Sequence, residues 1–186
     1  TIHWEVFILT AQELKGALAI MPTPAKEGAD RLDAINTVDL DETARIAENL
    51  VRDGATGIMA LGTMGECATT SQSDYEDYVD CLLRTVRGRI PTFVGATALG
   101  GHEIARRIKF VKSLGATGTL LGIPMWQPAT VDMAVKFYGD VAETFPDFPI
   151  MVYANPRAFR FAFEADFWSA IVEKAPTVMS AKFSSK

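Results

Sequence analysis

Six short apolar runs, separated by segments with helical periodicity, constrain this chain more than any other feature. The runs are "GALAIMPTP" (16–24), "GIMALG" (57–62), "PTFVGAT" (91–97), "GTLLGIP" (118–124), "PIMVYANP" (149–156) and "TVMSAKFSS" (177–185). Between them lie "DLDETARIAENLVRDG" (39–54), "SQSDYEDYVDCLLRTVRG" (71–88), "GHEIARRIKFVKSLG" (101–115), "TVDMAVKFYGDVAETF" (130–145) and "EADFWSAIVEKA" (164–175). In the first of these Leu40, Ala44, Ala47, Leu50 and Val51 recur at helical spacing behind an acidic first turn, with Gly54 just past the end. In the second, Ser71 or Ser73 is the expected cap and Gly88 the expected stop. Strands that are apolar almost throughout, alternating with helices, predict a parallel sheet covered on both faces.

A Gly-x-Gly-x-x-Gly turn after the first run, the mark of a dinucleotide fold, is absent. The alternative is the (β/α)8 barrel, which takes about 250 residues. The 186 residues here hold six units. The expectation is therefore an α/β chain, residues 1–186 forming a single barrel domain that is incomplete at its C-terminal end, with two further units to follow Lys186. Loops are expected to be short, and "AQEL" (11–14) is a candidate short helix under the barrel.

Composition narrows the function classes. Hydrophobic residues make up 48% and charged residues 22%, the balance of a folded soluble domain. Net charge is −5, with no basic stripe of the kind that binds nucleic acid. No apolar run reaches membrane-spanning length, and "TIHWEVFILT" lacks the layout of a secretory signal. That segment does not begin with Met, so the chain is expected to start inside its gene product. Cys67 and Cys81 match neither a zinc spacing nor a disulfide framework; they read as reduced thiols of a cytoplasmic protein, with no metal.

In a barrel of this kind chemistry sits where strands end and βα loops begin. Lys182 lies inside the last run. Burial disfavours an ammonium, and a neutral amine attacks carbonyls to form a Schiff base; a lysine that snorkels to solvent from the strand end is the plainer alternative. Tyr153 ends the fifth run, where a phenol beside the lysine can shuttle protons, or where a rim tyrosine simply packs its ring. "GTMGE" (62–66) follows the second run. Gly62 and Gly65 around Thr63 and Met64 permit a tight turn whose N–H groups bind carboxylate or phosphate oxygens.

"GTMGE", "YANP" and "SAK", in that order and at these separations, resemble the pyruvate-dependent class I aldolases that include dihydrodipicolinate synthase and N-acetylneuraminate lyase. The resemblance covers essentially the whole chain. It implies that Lys182 forms the imine, Tyr153 transfers protons and Thr63 relays them, while amides near Thr63 and Met64 hold the pyruvate carboxylate. It implies no cofactor beyond the covalent lysine imine, and a homo-oligomer, commonly a tetramer.

Departures from the family pattern point to one branch. Met64 replaces a hydroxyl residue, and Ala158 stands where dihydrodipicolinate synthase grips a second carboxylate with Arg, leaving Arg157 one position off. Trp126, in "PMWQ", takes the place of a tyrosine, and Phe159, Phe161 and Phe163 follow nearby. "GIPMWQP" and "YANP-x-AF" resemble the hydratase-aldolases that act on benzylidenepyruvates in bacterial degradation of polycyclic aromatic hydrocarbons. By that resemblance Trp126 stacks on an aryl ring and Asn155 orients the added water or the new hydroxyl; Asn155 also reads as a turn residue before Pro156. Arg157 and Arg160 lean slightly towards a 2-carboxyaryl over a 2-hydroxyaryl substrate. Glu66, His102 and Cys67 receive no role. Another pyruvate aldolase, or a barrel that only binds a keto acid, stays open as an alternative.

Overall fold

The six expected runs form six parallel strands of one sheet, ordered β1 to β6 as in the chain, in a computed structural model that describes residues 10–184. The strands are β1 (Leu18–Met21), β2 (Gly57–Ala60), β3 (Thr92–Gly95), β4 (Gly118–Leu121), β5 (Ile150–Ala154) and β6 (Val178–Phe183). Each pairs with the next, the arrangement of a barrel wall laid down in sequence order. Strands β2 to β5 are buried along their whole length, while β1 and β6 are partly exposed. Residues 1–9, which include most of "TIHWEVFILT", and 185–186 lie outside the described residues.

The helices are α1 (Leu40–Arg52), α2 (Gln72–Val86), α3 (Gly101–Ser113), α4 (Val131–Thr144), α5 (Pro156–Phe159) and α6 (Ala165–Lys174). Their starts follow from local chemistry. Asp39 accepts from the Glu42 N–H at 2.9 Å, Ser71 from Asp74 at 3.1 Å and Thr130 from Met133 at 3.2 Å, so Ser71 rather than Ser73 caps α2. The inward stripe of α2 (Tyr75, Tyr78, Val79, Leu82 and Val86) is buried against the sheet. Two of its tyrosines also reach strand-end carbonyls: Tyr75 donates to Gly95 at 2.9 Å and Tyr78 to Pro22 at 3.3 Å.

Three expectations change. The segment 11–14 is a turn, not a helix: the Glu13 carboxylate caps the Thr10 N–H and hydroxyl, both at 2.7 Å, and closes a single turn. The connection from β1 to α1 is long, running over 22–39. An antiparallel bridge between Ala25 and Val38 closes its root. Buried Asp74 anchors it, accepting from the Thr37 hydroxyl at 3.0 Å and the Val38 N–H at 3.4 Å. The third change is α5, a one-turn helix at 156–159 inside what reads as a loop. Pro156 suits its first turn, and Asn155 caps it by accepting from the Ala158 N–H at 3.1 Å.

Between β5 and β6 the register slips by one residue. Ile150 faces Val178, but Met151 faces Ser180, so Met179 is the extra residue of a bulge. Beyond it Tyr153 lies directly opposite Lys182.

Candidate active site

The register of β5 and β6 puts the phenol and the amine side by side. Lys182 Nζ stands 4.4 Å over the Tyr153 ring centroid and donates to the Ser184 hydroxyl at 2.6 Å. The Tyr153 hydroxyl is 2.7 Å from the Thr63 hydroxyl, and Asn155 Nδ2 donates to it at 3.2 Å. Because Asn155 Oδ1 is committed to the α5 cap, its amide can offer the phenol only a donor. The Tyr153 oxygen thus accepts from Asn155 while sharing one proton with Thr63.

Four tyrosines are present in the chain, and the site treats one differently from the rest. Burial pushes Tyr75, Tyr78 and Tyr138 above the ordinary phenol value. Burial acts on Tyr153 too, but the hydrogen bonds from Thr63 and Asn155, with the Lys182 charge, together outweigh it and hold its pKa below the ordinary value. Such a phenol gives up its proton more readily than a free tyrosine.

Thr63 comes to Tyr153 through a kink. Leu61, buried at the end of β2, adopts the left-handed conformation (φ 53°), and so does Glu66 at the other side of the loop (φ 57°). Between them Thr63–Gly65 form a 3₁₀ turn. Its internal bonds use the N–H groups of Gly65, Glu66 and Cys67. Those of Thr63 and Met64, first in the turn, are the ones such a turn leaves without an internal acceptor. Gly62 is buried against the Tyr153 ring, and the Gly65 carbonyl accepts from the Thr23 hydroxyl at 2.8 Å. Met64 is 71% exposed. Glu66 anchors the loop by its backbone carbonyl, which accepts from the N–H groups of Thr69 and Thr70.

Thr63, Asn155 and Ser184, the three partners of the amine–phenol pair, line a cleft of about 640 Å³ with Pro156, Arg157, Ala158 and Phe183. A hollow of about 290 Å³ continues from it past Thr63 and Ala158 towards Met125, Cys67 and Phe159. The structure therefore gathers Lys182, Tyr153, Thr63, Gly62, Asn155 and Arg157. It does not bring Trp126 to them. That ring is 68% exposed and borders a separate apolar hollow with Leu99, Met133 and Phe137. The Arg160 guanidinium binds the carbonyls of Met125 and Trp126, and Met125 is the loop residue that faces the site. The expected aromatic lining from Phe161 and Phe163 is corrected as well. Both are buried, packed edge-on with each other and with Phe167 at 4.9–5.4 Å, so they are core. Of Phe159, Phe161 and Phe163, Phe159 alone touches the site, edge-on to Tyr153 at 5.3 Å. The sequence reading missed Ser184; its position two residues past Lys182, on the same face of the strand, is the signal that could have found it. Among the described residues no group of three His, Cys, Asp or Glu is placed to hold a metal, and no helix is long and apolar enough to cross a membrane. Cys67 and Cys81 are free thiols.

Similarity to known proteins is extensive. A trans-o-hydroxybenzylidenepyruvate hydratase-aldolase of Pseudomonas putida is 47% identical over 175 residues, which is 94% of this chain and 53% of that protein. A trans-2'-carboxybenzalpyruvate hydratase-aldolase of Nocardioides sp. (strain KP7) is 35% identical over 94% of this chain and 52% of its own. Among solved structures, PhdJ bound to a substrate intermediate superposes with a TM-score of 0.91 at 37% identity, covering 95% of this chain and 55% of PhdJ. The chain spans about half the length of the curated relatives it matches, and its six parallel strands form a half-barrel like part of the barrels of its structural neighbours. The profile of the dihydrodipicolinate synthetase family matches residues 16–186. That match spans nearly the whole chain, which belongs to the dihydrodipicolinate synthetase family.

Proposed function

We propose that this chain carries the imine-forming part of a hydratase-aldolase that converts an aryl-substituted benzylidenepyruvate and water into an aromatic aldehyde and pyruvate, as a step in the breakdown of aromatic hydrocarbons. The observation that carries the reading is the pairing of Lys182 with a Tyr153 whose hydroxyl is held by Thr63 and Asn155.

The Lys182 amine attacks the C2 ketone, and loss of water from the carbinolamine gives a protonated imine. The substrate carboxylate lies against the N–H groups of Thr63 and Met64, in the turn opened by Gly62 and closed by Gly65. The imine draws electrons through the conjugated double bond; water adds at the carbon that bears the ring and gives up a proton, and the enamine so formed takes a proton at the neighbouring carbon, which restores the protonated imine. The Asn155–Tyr153 pair, joined by its hydrogen bond, orients that water and then the new hydroxyl. Tyr153, relayed by Thr63, takes the hydroxyl proton as the carbon–carbon bond breaks. The bonding electrons pass to the imine as an enamine, and the aryl aldehyde leaves. Protonation of the enamine carbon and hydrolysis release pyruvate and free Lys182. No cofactor enters this sequence.

Two substrate classes divide the relatives. Identity is 47% to a hydroxyaryl enzyme and 35% to a carboxyaryl enzyme, which favours 2-hydroxybenzylidenepyruvate over the carboxyaryl lean of the sequence. Arg160 is occupied by two carbonyls, so Arg157 is the arginine left to meet an aryl carboxylate in the cleft. If Arg157→Ala lowers the carboxyaryl-to-hydroxyaryl turnover ratio, Arg157 contacts the ring substituent; an unchanged ratio removes it from specificity. Homotetramer formation and a cytoplasmic location belong to the same proposal, and light scattering of the full-length protein checks the former.

Borohydride reduction of the full-length protein with pyruvate, followed by peptide mapping, tests the core of the reading. A reduced pyruvyl adduct is expected on Lys182. No adduct, or one on another lysine, would leave a barrel that binds keto acids without this chemistry.

A further inference from the structure

One buried guanidinium ties together two βα loops that frame the site. Arg107, on the inward face of α3, is 8% exposed. Its Nη1 donates to the carbonyl of Cys67 at 3.3 Å and to that of Thr97 at 3.0 Å. Its Nε donates to Glu103 at 3.2 Å, and its plane lies 4.4 Å over the Tyr75 ring. Burying a cation is costly, and a single carboxylate on the same helix would balance its charge without any loop contact. The neighbouring Arg106 shows the ordinary arrangement: it serves Glu103 and Glu76 at the surface. Arg107 instead turns inward and meets backbone oxygens of the β2–α2 and β3–α3 loops.

Both arms lead to Tyr153. In the first, Arg107 holds the Cys67 carbonyl while the Cys67 N–H donates to the Gly62 carbonyl at 3.3 Å, closing the turn that presents Thr63 to Tyr153. In the second, Arg107 holds the Thr97 carbonyl while the Thr97 hydroxyl accepts from the Gly122 N–H at 2.9 Å. Phe159, edge-on to Tyr153, closes against Gly122 so tightly that a Cβ there would lie 2.1 Å from its ring. The first arm also ends on a loop bracketed by two left-handed non-glycine residues, Leu61 and Glu66, and a loop in that conformation persists only under restraint from its surroundings.

We propose that Arg107 is a positioning residue for the Thr63–Tyr153 pair, acting through the Cys67 carbonyl to keep the Thr63 hydroxyl in register with the phenol. This rests on the proposed imine chemistry of the same site. The test uses the full-length protein with Arg107→Lys and Arg107→Gln, each alone and combined with Thr63→Val. Turnover of 2-hydroxybenzylidenepyruvate is divided by the fraction of Lys182 trapped by pyruvate and borohydride, so misfolded protein does not count. Arg107→Gln is expected to lower turnover per trapped site about tenfold, less than the roughly hundredfold or more that a proton-transfer group itself contributes, because the relay is displaced and not removed. Arg107→Lys should recover part of that loss. On the Thr63→Val background neither change should cost more than about twofold, because the interaction they support is already gone. Unchanged per-site turnover in the single variants would make Arg107 merely structural. Losses that multiply with Thr63→Val would show that it acts by another route. Either result overturns the proposal. Absence of any Lys182 adduct in the unmutated protein would instead take down the reading on which it rests, and the proposal with it.

Discussion

Gly95→Ala is the sharpest test of how the Thr63 loop is built. Leu61 turns its carbonyl into the space beside Gly95, and a Cβ at 95 would lie 1.8 Å from that oxygen. Real Cβ contacts stay beyond 3.0 Å, so one backbone must retreat by about 1.2 Å. Neither is free to do so. Gly95 is paired with Leu120 in the sheet and its carbonyl accepts from Tyr75, while Leu61 is buried and immediately precedes Gly62. Overpacking of this kind costs about 3 kcal/mol, or a fall in melting temperature of about 6–12 °C. A shift of about 1 Å at Leu61 also moves Thr63, and a misplacement of that size costs about 100-fold in turnover. Circular dichroism melts and steady-state cleavage assays read the two effects. Gly101→Ala is the control, since nothing lies within 4 Å of a Cβ there and the residue is already helical; its melting temperature should not fall below the parent's. If Gly95→Ala melts with the parent and turns over normally, the kinked carbonyl of Leu61 is not what holds the loop.

Tyr153→Phe keeps the edge-on contact with Phe159 and removes only the hydroxyl; turnover should fall about 10²- to 10⁴-fold with little change in melting. Asn155→Asp keeps an oxygen for the α5 cap but turns a donor facing the phenol into a negative acceptor, which disfavours phenolate. Tyr153 should then titrate at higher pH than in the parent, read at 295 nm as a difference from Tyr153→Phe; no movement, or a downward one, would contradict the assigned hydrogen bond. Asp74→Ala leaves the Thr37 hydroxyl and the Val38 N–H without their acceptor, at about 2–3 kcal/mol, and the 22–39 connection should become the first site of limited proteolysis.

How far residues alone reveal such a site depends on what holds each one. Lys182 and Tyr153 were legible because strand ends in a parallel sheet of known order must meet, and backbone pairing decides the meeting. Thr63 was legible because glycines on both sides mark a turn. Trp126 was not: an apolar residue after a strand says nothing about which way its loop faces, and here Arg160 fixes that loop by carbonyls invisible to side-chain patterning. Phe161 and Phe163 looked like a binding surface because aromatic clustering is the same in a core and in a cleft. Leu61 offered no signal at all, since a left-handed leucine is unexpected from its type. Arg107 sat in a helix with other basic residues, where a charged stripe ordinarily means solvent.

The slipped register at Met179 gives the last strand two separately anchored halves. Its beginning is fastened at Val178 opposite Ile150, and its end at Ala181, Lys182 and Phe183 opposite Val152, Tyr153 and Ala154. The bulge works as a slack link between them. A residue gained or lost near position 179 can be taken up there while Lys182 keeps its place opposite Tyr153, so drift in the α6–β6 connection is insulated from that pair. The spacing of Lys182 and Tyr153 is written in the sheet ladder, on the far side of that slack, so loops can be reshaped around the pair without moving it.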